Sequence, residues 1–310
     1  MQNLKQILAP FQKLIAPSVI LVTLLTPLES SATELFAIGN SGAIKVFDSA
    51  TGIELRSFPS TFRASGSIAF GNDGLLYGIN QNEGFSVYNP DSGDEVRRFS
   101  GIGIYAIGSI AFGQDGDLYA YTNQGYFAGF NPKTGLRTND LQGLSLIGGP
   151  MTIGTQGVLF GLSPSAGSWN AYGIQSKQLV ASSVDGTITG HMTLSSNGLL
   201  YAQNNRNGFS AWNVATGKLV ASHDELSLVG AMSIGPDTSL FGLNSAGGYS
   251  VYDPVTGVQL RYAAAGQLNA TGDLAFRISA VPEASIPWLL ILGLIALTAI
   301  RCIRRTEHEA

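Results

Sequence analysis

GSIAFGNDGLLYGINQNEGFSVYNPDSGDEVRRF, Gly66 to Phe99, holds four short apolar runs separated by turn residues. The runs are Ser67–Phe70, Leu75–Ile79, Phe85–Tyr88 and Glu95–Phe99. Asn72-Asp73-Gly74, between the first two, suits a tight hairpin because Asn, Asp and Gly tolerate positive φ. Pro90-Asp91-Ser92-Gly93 suits the turn before the last run, with proline presetting φ and glycine closing it. Four antiparallel strands in about 40 residues are the pattern of a β-propeller blade.

The pattern recurs along the chain. GSIAFGQDGDLYAY starts at Gly108, GPMTIGTQGVLFGL at Gly149, GHMTLSSNGLLYAQ at Gly190 and GAMSIGPDTSLFGL at Gly230. A truncated GDLAFRIS starts at Gly272. The leading glycines lie 42, 41, 41, 40 and 42 residues apart. A turn marker keeps the same step: FDSATG at Phe47, YNPDSG at Tyr88, FNPKTG at Phe130, WNVATG at Trp212 and YDPVTG at Tyr252. A degenerate copy, YGIQSK, begins at Tyr172. A helical solenoid of similar period needs 3.6-residue apolar periodicity, which is missing.

These repeats predict an all-β, six-bladed propeller of four-stranded antiparallel blades over residues 33–280. The chain enters at Leu35–Ile38, which aligns with a second strand, and leaves with Asp273–Ile278, which aligns with a first strand. The last strand therefore completes the first blade and hides open sheet edges. In the innermost strands, a small-residue row runs Ala69, Ala111, Thr152, Thr193, Ser233, Ala275. Its neighbours run Ile68, Ile110, Met151, Met192, Met232, Leu274, and the two rows read as complementary packing. The repeat resembles WD40-like and quinoprotein-like propellers, and those of a streptogramin-cleaving lyase, at the level of fold. It lacks the tryptophan-docking repeat, vicinal cysteine pair or paired catalytic histidines that would carry an activity over.

Composition agrees. Charged residues make up 12% and there are 39 Gly, which suits many tight turns rather than disorder or a collagen-like period. Residues 33–280 hold 17 acidic and 12 basic side chains, net −5, with no basic cluster, so nucleic acid is not an expected partner. The single cysteine, Cys302, lies in the tail, leaving the repeats without disulfide or thiolate ligand.

Both ends read as addresses. Residues 1–32 have the make-up of a signal peptide: Lys5 and Lys13, an apolar stretch from Ile15 to Leu28, then Ser30-Ser31-Ala32 before a cut between Ala32 and Thr33. An uncleaved anchor is the alternative, although Pro17 and Pro27 interrupt the apolar stretch. Residues 281–310 carry Val281-Pro282-Glu283, a helix expected to cross the membrane at about 286–300, and then Arg301, Arg304 and Arg305. Positive charge after a span favours the cytoplasmic side, which leaves the repeats outside.

This tripartite tail resembles the PEP-CTERM sorting signal of exopolysaccharide-producing Gram-negative bacteria. Ala284 stands where the family usually has a second proline, and five residues follow the arginines where many members stop. The resemblance implies recognition and processing by a membrane-embedded exosortase. It implies a protein held first in the inner membrane and then released to the cell surface or extracellular matrix. A plain single-pass anchor is the alternative.

Chemistry is sparse. No GxSxG, HExxH or phosphate loop occurs. His191, at the start of an inner strand, is a weak channel candidate, and a lone histidine is more often structural. His223-Asp224-Glu225 reads as a solvated loop. Asp115-Gly116-Asp117 and Asn72-Asp73-Gly74 read as turns rather than calcium loops. Tyr105, Tyr126, Trp169 and Tyr262 break the repeat pattern and, with Asn204, Asn205 and Asn207 nearby, are candidates for stacking on sugars. The sequence assigns no catalytic residue, no metal and no cofactor. The expected function is a binding module for polysaccharide or a matrix protein, linked to exopolysaccharide or biofilm. An extracytoplasmic hydrolase or lyase near His191, or a permanently anchored periplasmic scaffold, is the alternative.

Overall fold

The computed structural model describes residues 33–58, 64–105, 108–165, 167–183, 187–263, 268 and 272–278. The signal peptide and its Ala32 side of the cut, the Val281-Pro282-Glu283 motif, the apolar segment and Arg301, Arg304 and Arg305 lie outside them. Thr33–Ile278 form one compact unit.

The described strands make six four-stranded antiparallel sheets, as the repeats predict. Blade 1 is built from both ends of this unit. β24 (Leu274–Ile278) is innermost, followed outward by β1 (Thr33–Ile38), β2 (Ile44–Asp48) and β3 (Glu54–Ser57). Blade 2 comprises β4 (Ala64–Phe70), β5 (Leu76–Asn80), β6 (Gly84–Tyr88) and β7 (Glu95–Phe99). Blade 3 runs from β8 (Ile110–Phe112) to β11 (Arg137–Leu141), and blade 4 from β12 (Met151–Gly154) to β15 (Leu179–Ser182). Blade 5 runs from β16 (Ile188–Leu194) to β19 (Leu219–His223), and blade 6 from β20 (Leu228–Ile234) to β23 (Gln259–Ala263). β4 starts three residues before the expected Ser67, because a bulge between Ala64 and Ile68 lets the strand bend as it joins the sheet.

Among the described residues no blade has a core of its own. Phe36 and Ile38 of β1 pack toward blade 2 with Ile68, Leu76 and Tyr88. Leu35 and Ala37 of the same strand pack toward blade 6 with Phe241, Leu243 and Val251. This two-sided burial follows from side chains alternating across a strand. It repeats between every pair of neighbouring blades. The inner-strand rows interlock as expected: Ala275 packs with Ile68, Ala69 with Ile110, and Ala111 with Met151. Aromatic edges meet across the same seams, with Phe36 on Phe70 at 5.0 Å and Tyr77 on Phe112 at 4.9 Å.

The turn marker explains itself in hydrogen bonds. In blade 5, Asn213 Oδ1 accepts from the Ala215 and Thr216 amides, at 3.0 and 3.1 Å. The Thr216 hydroxyl accepts from Lys218 N. Asp48, Asn89, Asn131 and Asp253 do the same in their turns. The preceding aromatic is buried in the seam, and the closing glycine sits in the left-handed region, with φ of 70° at Gly135. A Cβ at Gly135 would also lie 2.5 Å from the Phe99 ring of the preceding blade. Glycine is required there twice over. Blade 4 places Lys177 at this position, at φ 55°.

Gly135→Ala is therefore expected to lower unfolding free energy by about 2–3 kcal/mol, through φ strain and the clash with Phe99. Lys177→Gly is expected to raise it by about 0.5–1 kcal/mol, as relief of the left-handed strain outweighs added chain entropy. Urea midpoints at constant m-value measure both.

Candidate functional site

The residues that follow the leading glycines of five of the six blades come together near the axis. Ser67, Ser109, Pro150, His191 and Asp273 line a cavity there of about 60 Å³, with Gly66, Gly108 and Gly149 between them. His191 lines this cavity, and so does Asp273, which holds the same position after Gly272 in the truncated repeat. Asp273 joins the last strand to the first full blade. Its Oδ2 accepts from the Ser67 hydroxyl and, at 3.3 Å, from Ile68 N; its Oδ1 accepts from Leu274 N at 2.8 Å.

Burial lowers the His191 pKa below its usual value, and the Asp273 charge opposes this only in part. The imidazole has no hydrogen-bond partner among the described residues. The Ser67 hydroxyl donates to Asp273 rather than to His191, so it is not arranged as a base-activated nucleophile. Among the described residues no group of three or more His, Cys, Asp or Glu side chains converges as a metal site.

The other sequence-marked residues scatter. Thr33 opens β1 and pairs with Ile278. Trp169 is fully buried in the seam between blades 4 and 5, which corrects its reading as a sugar-facing aromatic. Asn204 is likewise buried: its amide donates to Ser210, His223 O and Asp224. Asn205 and Asn207 are exposed beside it. Tyr126 lies under the Arg137 guanidinium, 5.6 Å from ring centroid to Cζ, and accepts a hydrogen bond from it. Tyr105 and Tyr262 are exposed.

His223-Asp224-Glu225 is not simply a solvated loop. The His223 ring packs 4.9 Å from Phe209, and Asp224 pairs with Arg206 at 2.8 Å. Asp73 and Asp115 act in turns, as expected. Each also accepts from a buried tyrosine hydroxyl, Tyr77 at 2.9 Å and Tyr119 at 2.7 Å. Burial, then the carboxylate bond, raises both tyrosine pKa values.

Sequence reasoning missed a second concavity on the rim of blade 6. It has a volume of about 270 Å³ and is lined by Glu225, Ser227, Asn244, Ser245, Gln259 and Tyr262, among others. Of these only Tyr262 was singled out as a candidate. The available signal was a departure from the repeat: Gln259 and Tyr262 occupy the positions of Glu95 and Arg98 in blade 2.

The sign of the His191 effect sets a pH test. The folded pKa lies below the unfolded value of about 6.5. The unfolded chain therefore binds the extra proton first, and this contribution to stability is complete above about pH 6.5 and lost as pH falls. His191→Gln is expected to flatten the decline in unfolding free energy between pH 7 and pH 5, as read by urea titrations across that range.

Neither a protein-family model nor a curated protein sequence matches the chain. Among solved structures, a chain from the crystal structure of a nidogen/laminin complex superposes with a TM-score of 0.63 at 12% identity, covering 79% of this chain and 98% of that one. A computationally designed protein, Ika8, aligns with a TM-score of 0.48 at 16% identity over 73% of this chain and 70% of that one. The first likeness shows the fold: this chain carries a six-bladed β-propeller.

Proposed function

We propose that the chain is an exported surface or extracellular-matrix protein whose propeller binds polysaccharide or a matrix protein. The reading joins two addresses to one platform. The signal-like residues 1–32 export the chain. The PEP-CTERM-like tail, with Val281-Pro282-Glu283, an apolar stretch and Arg301, Arg304 and Arg305, holds it in the inner membrane until an exosortase-type protease processes it. The observation that carries the proposal is this ordered tripartite tail at the end of a chain whose body is a closed propeller. A propeller joined through its first and last strands is a rigid base for rim loops, and rigid scaffolds carrying loops are a common arrangement for binding.

A hydrolase or lyase at the channel mouth is the second reading. The shared cavity of His191 and Asp273 favours it. The engagement of the Asp273 carboxylate by three donors counts against it.

Intact-mass measurement of the protein from cells with and without the sorting protease tests the address. Loss of the tail near Pro282–Glu283 only when the protease is present is the expected outcome. Retention of Cys302 and its arginines in both strains would replace it with a permanent anchor.

A further inference from the structure

We infer that the rim cleft of blade 6 is a saccharide-binding site that takes a neutral or amino-sugar pyranose stacked on Tyr262. The inference rests on the binding-module reading above and names its ligand and its face.

In blade 6 the outer strand leaves open what blades 1, 2 and 3 close with an ion pair. In each outer strand a bulge sets two residues against one partner. Residues three apart are thereby brought to the same side, which a regular strand does not do. In blade 2 these positions are Glu95 and Arg98, joined by two hydrogen bonds at 2.7 and 2.6 Å. In blade 3 they are Arg137 and Asp140, 3.4 Å apart. In blade 1 the first of them, Glu54, pairs with Lys45 at 2.7 Å. Blade 6 has Gln259 and Tyr262 instead, and neither side chain forms a hydrogen bond among the described residues. The adjoining hairpin turn is Ser245-Ala246-Gly247, where blade 5 carries Asn205-Arg206-Asn207 and uses Arg206 to hold Asp224. Blades 4 and 5 also lack the pair, with Leu179 and Ser182 and with Leu219 and Ser222 at these positions, so what sets blade 6 apart is the exposed ring of Tyr262 there.

A buried donor is also left over. Asn80 and Asn204 each send the side-chain amide to a serine and to the carbonyl at the end of the outer strand, Phe99 O and His223 O. Asn244 occupies the same position and is 3% exposed, but among the described residues it donates only to Ser250. It lines the cleft, and its second amide hydrogen meets no acceptor among the described residues.

The opposite wall is fixed. Glu225 and Ser227 sit at φ 60° and 59°, where the matching connection after blade 2 uses Gly101 and Gly103. Side chains are kept at backbone positions that glycine adopts more easily, and such sites cluster at ligand clamps. The wall is held by Glu225 N to Arg206 O, Leu228 N to Asn207 O, Ser245 N to Ser227 O, and the Tyr252 hydroxyl to Leu226 O. The Glu225 carboxylate has no ion-pair partner among the described residues.

An exposed aromatic face beside a carboxylate, two amides and several hydroxyls matches a sugar ring. The apolar face of the sugar stacks on the aromatic, and its hydroxyls both donate and accept. No Lys or Arg lines the cleft and Glu225 does, which selects against uronate and sulfated sugars by unpaired like charge.

The test uses full-length protein in detergent with four immobilised hexasaccharides: chitohexaose, its deacetylated form, cellohexaose and hexa-mannuronate. Wild type is expected to bind at least one of the first three, and to bind hexa-mannuronate at least about tenfold more weakly. Tyr262→Ala, and separately Ala246→Trp, which fills the cleft, are each expected to weaken binding about tenfold, while the control Leu136→Ala, at an exposed residue of blade 3, leaves it unchanged. If wild type binds but both cleft variants bind equally well, the site is wrong and the polysaccharide reading stands. If hexa-mannuronate binds as tightly as the others, the assigned sugar class is wrong. If wild type binds none of the four, the saccharide site fails, and the binding-module reading is left with a protein partner.

Discussion

The pairing of β24 with β1 is the constraint on which the rest of the molecule depends. Five register pairs, Thr33 with Ile278 through Ala37 with Leu274, join the two ends of the body into one sheet. Every apolar cluster lies between two blades, so each blade borrows half its burial from either neighbour. Opening this one joint would expose two seams at once, together with two unpaired sheet edges. Polar groups brace it from both ends of β24. Asp273 ties Ser67 and Ile68 at the channel, and Arg277 reaches Asp91 at 2.5 Å and Glu34 at 3.4 Å. The Arg277 hydrogen bonds hold the Asp91 carboxyl below its usual pKa.

The fold was legible because its determinants are local and repeated. A turn that needs an Asx acceptor, a Ser or Thr hydroxyl and a residue at positive φ writes the same six-position pattern in five blades and a worn copy in the sixth. The buried aromatic ahead of it fills the same seam each time. The errors came where the step slips. Trp169 looked unpaired because the longer Ser163–Ser168 connection displaces it, yet it opens its strand as Phe127 and Phe209 open theirs. Asn204 looked available for a ligand, but it clamps its own hairpin to the outer strand.

The candidate sites were less legible because they arise from residues distant in the chain. His191 could be placed at the channel from the repeat alone. Asp273 holds the matching position after Gly272, but the repeat does not show that these two side chains, 82 positions apart, line one cavity. The rim cleft draws on a connection, a hairpin turn and an outer strand. Each departs from the repeat by one or two residues, and only their superposition makes a concavity. In a repeat protein the framework is what the copies share, and a site is most readable as the set of places where one copy differs.

Closure through antiparallel neighbours has a mechanical consequence. The first residue of β1 faces the last residue of β24, so the chain enters and leaves the body beside a single rung of the ladder. A load pulling Thr33 and Ile278 apart falls on that rung alone, then on Glu34–Arg277, then on Leu35–Phe276. The joint peels in sequence instead of resisting as a set. A pull transmitted through one end and a distant blade would load the rungs together, in shear. The ring is therefore weakest to tension between its own two ends and stronger when drawn from one end against a surface gripping its rim.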